Sequence, residues 1–244
     1  MVKAKVGTIV VLGGDGTHRL VAHACGKTPL VCISTGTNNA FPGNPEATIA
    51  GLAAGAVGRR LVAPDIVCQS NKRLCVRVNS QDTIPALVDV CITTETQIGT
   101  RALWRSNRLR KLFLTFAEPG QIGLSSIGSL LSPTTREDDN GLAIDIDPTA
   151  KTFKKLMAPI APGLFEPVTI TNYRPISINQ KYMMDSSAGT LAYDGEREVT
   201  LSTGDRIEIT LDRRGPRTID VAKTIENIAY SGFLISDDTL QSSR

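Results

Sequence analysis

The sequence predicts an α/β unit followed by a β-rich unit with a closing helix, and three features carry that expectation. Near the N-terminus, two short apolar runs each lead into a glycine loop and then a helix. Beyond residue 60 the grammar changes to short apolar runs separated by turn residues. At the end, Thr218 to Ser231 has the apolar stripe of a helix. Alternating strands and helices imply a parallel sheet covered by helices, whereas successive short strands imply a sandwich or barrel. The expected division is 1–60, with a returning helix at 218–234, for the α/β unit and 61–217 for the β-rich unit.

Each element has its own reason. Thr8-Ile9-Val10-Val11-Leu12 is a continuous β-branched and apolar run, the pattern of a strand buried on both faces. Thr17 to Ala24 reads as a helix with Leu20, Val21 and Ala24 on one face, stopped by Gly26. Leu30-Val31-Cys32-Ile33 is a second buried strand. Asn44-Pro45-Glu46 supplies an N-cap, a proline for the first helical position and an early acid, and that helix runs to Gly55 or Gly58. Strands follow at Leu74–Val78, Leu87–Ile92, Leu112–Phe116, Leu142–Ile146, Val168–Ile170, Ile176–Ile178, Glu198–Leu201 and Arg206–Leu211. Asp194-Gly195 and Thr203-Gly204-Asp205 are tight-turn signals between the last of these. In the closing helix, Ile219, Ala222, Ile225, Ile228 and Ala229 share a stripe. Two parallel strands are too few for a stable open sheet, so later strands must complete it or a preceding portion is absent from this polypeptide.

Composition narrows the function. Of 244 residues, 41% are hydrophobic and 21% charged, the balance of an ordinary globular protein. A net charge of +3 gives no argument for nucleic acid or an anionic membrane, and 5% aromatics leave few stacking platforms for single strands. No apolar run approaches the ~20 residues of a membrane span. The first apolar segment is cut off by glycines too early for a secretory leader. Five cysteines without a Cys-x-x-Cys pair read as reduced core thiols. These features point to the cytoplasm.

The chemistry concentrates in two loops. Gly13-Gly14-Asp15-Gly16-Thr17 joins a strand to a helix, so the backbone turns sharply and helix N–H groups face whatever sits there. That arrangement suits a pyrophosphate. An aspartate would repel phosphate, but it makes sense as the acceptor of a hydroxyl proton, or beside a Mg²⁺ that arrives with the phosphates. The alternative is a plain Asp-Gly turn. Ser34-Thr35-Gly36-Thr37-Asn38-Asn39-Ala40-Phe41-Pro42 follows the second strand and offers neutral hydrogen bonds. Both loops sit at the carboxyl ends of parallel strands, where open α/β sheets bind ligands. Arg101, Arg105 and Arg108 share a face at helical spacing near Arg110 and Lys111; a solvated face is the simpler reading than a phosphate contact. Arg136-Glu137-Asp138-Asp139-Asn140 reads as an exposed turn rather than a metal site. His18 and His23 lie on different helix faces, and a surface or capping role for His18 is at least as reasonable as ligand contact.

Gly13-Gly14-Asp15-Gly16-Thr17 after a strand resembles the signature of NAD kinases, diacylglycerol kinases and sphingosine kinases, and Gly36-Thr37-Asn38-Asn39-Ala40-Phe41 resembles their second glycine motif. Arg101-Ala102-Leu103-Trp104 and Leu112 to Gly120 add a resemblance to the acetoin-catabolism X (AcoX) proteins, which are ATP-NAD kinase-like. The resemblance implies a partial Rossmann-like first domain, a β-sandwich-like second domain and a site between them. It implies ATP with Mg²⁺ as donor, NAD as acceptor, Asp15 as catalytic base, and phosphate contacts from Gly13, Gly14, Gly16 and Thr17. Thr35, Gly36, Thr37, Asn38 and Asn39 would line the same nucleotide. Where NAD kinases carry an Asn-Glu pair on the ribose, this chain has Val88-Asp89, leaving Asp89 as the substrate contact. Gly120 to Ser126 replaces a tyrosine-containing loop, with Ser125 as its candidate contact. A lipid or small-alcohol kinase and a catalytically silent nucleotide-binding protein are the alternatives. The superfamily implies a homodimer or higher homo-oligomer, and nothing in the sequence calls for nucleic acid or membrane.

Overall fold

A computed structural model describes residues 1–79, 81, 83–95, 106–195 and 197–236. The chain begins with β1 (Ile9–Gly13), α1 (Asp15–Ala24), β2 (Leu30–Ser34), α2 (Ala47–Gly58), the short α3 (Pro64–Val67) and β3 (Cys68–Ser70). Next come β4 (Arg73–Val78), β5 (Ile84–Ala86), β6 (Asp89–Thr93), β7 (Leu109–Leu114), α4 (Leu124–Leu131), β8 (Asn140–Ile146), β9 (Lys154–Ala161) and β10 (Leu164–Ser177). β11 (Lys181–Asp185), β12 (Gly189–Tyr193), β13 (Arg197–Leu201), β14 (Arg206–Asp212), β15 (Arg217–Ile219) and α5 (Val221–Ser231) complete it.

The first sheet has the order β1-β2-β15-β3. β1, β2 and β15 are parallel and β3 is antiparallel to β15, so strands from far along the chain finish the sheet that the first two strands begin. α1 packs on one face through Ile9, Val11, Cys25 and Leu30. α2 and α5 cover the other face through Val31, Ala50, Ala53, Val57 and Ile228. β1 has a strand partner on one side only and is not buried on both faces as its sequence suggests: Val10 is 45% and Leu12 63% exposed. A fully apolar run expects cover on both sides, and α2 lies over β2 rather than reaching Val10 and Leu12.

Two further sheets form the sandwich, one of seven strands (β13-β12-β6-β7-β8-β10-β9) and one of four (β11-β14-β4-β5). Leu74, Val76, Phe113, Leu191, Ile207 and Ile209 fill the space between them. The other face of the seven-stranded sheet is capped by α4, whose Leu124 and Ile127 join Leu112, Leu142 and Ile144.

Several sequence expectations change in detail. α1 starts at Asp15, and of the expected inner face only Val21 packs against the sheet; Leu20 is 55% exposed and Ala24 is exposed, while His18 and Arg19 are buried. The inner face meets polar groups across the joint described below, so polar residues suit it. α2 starts at Ala47 because Glu46 supplies the cap, its carboxylate accepting from the Ile49 N–H at 2.9 Å. Val168–Ile170 and Ile176–Ile178 are one long strand, β10, with a register shift between Ile170 and Asn172. Thr218 belongs to β15, and the closing helix begins beyond the Asp220 cap. Of the arginines expected at helical spacing, Arg108 ends a short 3-10 turn (Ser106–Arg108), and the neighbouring Arg110 and Lys111 stand on β7, with Lys111 paired to Asp145 at 2.5 Å; Arg101 to Arg105, Trp104 included, lie outside the described residues.

Opposite faces of the first sheet should respond oppositely to substitution. Leu30→Ala, at a fully buried position, is expected to cost about 2–5 kcal/mol. Leu12→Lys at the exposed edge should stay within about 0.5 kcal/mol. Urea unfolding of the two variants checks both.

Candidate functional site

Two loops meet where β1 and β2 end. Gly14 caps α1 with no side-chain hydrogen bond to the first turn, so the N–H groups of that turn carry no protein side-chain acceptor. Asp15 turns away from its own helix. Its Oδ1 accepts from the Phe41 N–H at 2.8 Å, and the Ala40 N–H donates to both oxygens at 3.0 and 3.2 Å. The Thr35 N–H donates to the Gly13 carbonyl at 3.3 Å, a second tie between the loops. Asn39 fits between the glycines: a Cβ on Gly14 would lie 2.8 Å from its Oδ1, and one on Gly36 2.9 Å from its Nδ2. The same Nδ2 donates to the Ser34 Oγ at 2.8 Å, so Asn39 has little room to move. Both glycine positions therefore depend on the lack of a Cβ. Thr17, Thr35, Thr37 and Asn38 are exposed around this junction.

The sandwich holds the second loop from the other side. Arg136 donates through Nη2 to the Ala40 carbonyl at 2.8 Å and through Nη1 to the Phe41 carbonyl at 2.9 Å. Asp15 and Arg136 thus grip the N–H and C=O groups of the same two residues from opposite sides. Arg136 is aimed by Glu118 at 3.3 Å and stacks over Phe116, 4.2 Å from the ring centre. Phe41, Leu87, Val88 and Phe116 form the apolar floor of the joint. The segment Arg136 to Asn140 turns at the surface as expected, but its arginine points inward. Gly123, at φ +86°, approaches Asn38, and Gln121 Nε2 donates to the Ala40 carbonyl at 3.4 Å. Ser125 lies just beyond, buried in the first turn of α4.

Beneath the loops is a buried group of charges. Asp89 and Asp194 are both buried, and Arg19 reaches Asp194 with Nε 3.4 Å from Oδ2. That pair is an ion pair by distance without hydrogen-bond alignment. Asp194 accepts from the N–H groups of Leu87, Val88 and Asp89 at 2.8 to 3.3 Å. Three buried atoms around the joint lack a protein partner: Asp89 Oδ1, His18 Nε2 and Gln121 Oε1. His18 is neither on the surface nor a cap for the first turn; it is fully buried, with Nδ1 2.8 Å from the Gly14 carbonyl. Orphaned polar atoms converging below two glycine loops fit a site whose remaining partners arrive with a ligand.

Burial raises the Asp15 carboxyl, opposed by the Ala40 and Phe41 N–H groups and then by the charges of His18 and Arg136. Burial, then the charges of Asp194 and Asp15, raise the Asp89 carboxyl well above its ordinary value. Asp194 is pushed up to about 7 by burial, against the Leu87 and Val88 N–H groups and Arg19. Asp89 is thereby shifted toward the protonated form, which can donate to a ligand oxygen, while Asp194 titrates near neutrality. Sequence reasoning placed Asp15, Asp89 and both loops; it missed Arg19, Arg136, Gln121 and Asp194. Arg19 was findable four residues after Asp15 on one helix face, whereas Asp194 was hidden in a turn signal.

Comparison with known proteins fits this geometry. Residues 1–60 match the ATP-NAD kinase N-terminal domain, and residues 72–214, more than half of the chain, match the acetoin catabolism protein X C-terminal domain. The chain belongs to the acetoin catabolism protein X family. It is 41% identical over 226 residues to acetoin catabolism protein X of Cupriavidus necator, covering 91% of this chain and 63% of that protein's length. Among solved structures, yeast NADH kinase complexed with NADH aligns with a TM-score of 0.52 at 16% identity, covering 98% of this chain and 68% of that one. The likeness shows a shared fold: a Rossmann-like sheet followed by a β-sandwich, with a closing helix.

Two outcomes follow. Acids with raised folded values contribute stability at low pH that is lost as pH rises, here from about 4 through about 7 for Asp194, with Asp89 acting in the same direction. The thermal midpoint should be higher at pH 5.5 than at pH 8, and Asp89→Asn should flatten that slope. Arg136→Met removes two charged hydrogen bonds and should cost about 1–3 kcal/mol, with faster amide exchange at Ala40 and Phe41.

Proposed function

We propose that this chain is a nucleotide-dependent phosphotransferase that moves the γ-phosphoryl group of Mg²⁺-ATP to a hydroxyl of NAD or a related small molecule. The observation that carries this is Asp15, half-buried at the first position of α1, between two glycine loops and near the buried, partnerless Oδ1 of Asp89. The phosphates would lie against the open first turn of α1, with Gly13, Gly14, Gly16 and Thr17 close by and Thr35, Gly36, Thr37, Asn38 and Asn39 on the facing loop. Asp15 would take the proton of the acceptor hydroxyl as its oxygen bonds to the γ-phosphorus and the bond to the β–γ bridging oxygen breaks, releasing ADP. Asp89 would hydrogen-bond a second substrate hydroxyl. Ser125, buried in α4, would contribute through the adjoining Gly123 turn. Mg²⁺ would offset the developing phosphate charge. No group of three His, Cys, Asp or Glu among the described residues is arranged to hold a metal, so the ion would travel with the triphosphate.

A second reading is favoured by one contact: all the hydrogen bonds given to Asp15 come from the Ala40 and Phe41 N–H groups. In that reading Asp15 braces the loops and the chain binds nucleotide without turnover. A coupled assay with Mg²⁺-ATP and NAD, reading NADP, separates the two. Asp15→Asn should lower transfer by about 10²–10⁴-fold while ATP still raises the thermal midpoint. Normal turnover in that variant would overturn the base role. ATP protection without transfer to any acceptor would favour the silent reading. The edge position of β1 also suits a homodimer, which light scattering tests.

A further inference from the structure

We infer that Asp194 is the positioning residue of this site: from one buried carboxylate it fixes the backbone that carries Asp89 and, through Arg19, the helix that begins at Asp15. The inference rests on the phosphotransferase reading for its kinetic consequence only.

The geometry is that of a built hub. Asp194 occupies the turn between β12 and β13 with φ +48°, followed by Gly195 at φ +70°. Left-handed backbone at a non-glycine residue is uncommon, and aspartate is among the few that tolerate it. The turn throws its carboxylate inward rather than into solvent; the side chain is 0% exposed. There it receives the Leu87 N–H at 3.0 Å on each oxygen, the Val88 N–H at 2.8 Å and the Asp89 N–H at 3.3 Å. Its own N–H donates to the Asp89 carbonyl at 3.1 Å, so Asp89 is held through both backbone groups. The peptides on either side are fixed as well, since Thr115 Oγ1 donates to the Leu87 carbonyl at 2.6 Å. On the opposite side, Arg19 stacks over Tyr193, 4.7 Å from the ring centre, and faces Asp194. Arg19 is one turn from Asp15, so the hub touches the supports of both candidate acids.

Its charge matters too. From α1 it faces Asp15 and Arg19, with His18 nearby; from β6 it faces Asp89, with Cys91 beyond; Tyr193 lies alongside; and Arg136 stands across Asp15. An ionised Asp194 favours the neutral form of Asp89. It is therefore a brace that also adds, after burial, to what holds Asp89 toward its neutral, hydrogen-bond-donating form.

The test uses the full chain with ¹³C-labelled aspartate, the Asp89 carboxyl signal being identified with Asp89→Asn. Asp194→Asn keeps an oxygen for the N–H groups but loses the charge, and Asp89 should then titrate at lower pH than in the unsubstituted chain. Arg19→Gln should move the Asp194 titration above its position near pH 7. If transfer activity is present, Asp194→Asn should lower kcat by about 10–100-fold with KM for the nucleotide changed less than about twofold. The alkaline limb of its kcat profile should move to lower pH. Asp194→Ala should share the titration change and add a lower thermal midpoint, because three buried N–H groups lose their acceptor. A merely structural residue would lower the midpoint and leave the titrations in place. Unchanged titration of Asp89 in Asp194→Asn, or of Asp194 in Arg19→Gln if the first variant does not fold, overturns the inference. Absence of transfer in the unsubstituted chain would count against the kinase reading alone, since the titrations do not depend on turnover.

Discussion

The hydrogen bonds from Ala40 and Phe41 to Asp15 are the contact on which the rest of the site depends. They bind the first helix to the loop after β2, and they occupy one side of two peptides whose other side is held by Arg136. A loop rich in glycine, threonine and asparagine has little apolar surface with which to order itself, and conformational entropy would keep it open. Charged hydrogen bonds from opposite sides supply that order, since each is about twice as strong as a neutral one. Phe41, anchored in the joint with Leu87, Val88 and Phe116, adds the apolar part. The two sheets therefore meet through a segment that belongs to the candidate site itself.

That arrangement brings three carboxylates together out of water, and electrostatics decides what state they take. Three negative charges in a buried space, faced by Arg19 and Arg136, would leave one uncompensated, and the lower-energy solution is to keep a proton. Burial and the neighbouring charges push Asp89 toward that form, and its Oδ1 has no protein donor, whereas Asp194 has N–H donors and a guanidinium. A neutral carboxyl beside an acid able to accept a proton gives the site a donor and an acceptor from one residue type. Differences in hydrogen bonding assign the roles, as is usual where two acids do different work.

How much of this was legible in the sequence depends on distance along the chain. The two glycine loops follow apolar strands directly, and local grammar identified both strands, both loops and Asp15. Completion of the first sheet by β15 and β3 was not legible, because it pairs residue 30 with residue 218. Nor was the inward face of α1: periodicity favours Leu20 as a core residue, but tertiary burial selects His18 and Arg19. Arg136 and Asp194 were hidden for the same reason, since each sits in a segment that reads as a surface turn and acts on residues about a hundred positions away.

Val88 shows how packing and chemistry are traded at one position. It is 1% exposed and belongs to the apolar joint with Phe41, Leu87 and Phe116, so its side chain serves cohesion rather than recognition. A polar amide there would have to find partners among apolar neighbours or bear the cost of desolvation. The neighbouring Asp89 points the other way along the strand and remains the group of this segment turned to the acids. Recognition by this segment accordingly rests on one carboxyl instead of an amide and an acid together. A single neutral carboxyl distinguishes ligands by the presence of one well-placed oxygen. Beside it, His18 Nε2 and Gln121 Oε1 are likewise buried without a protein partner.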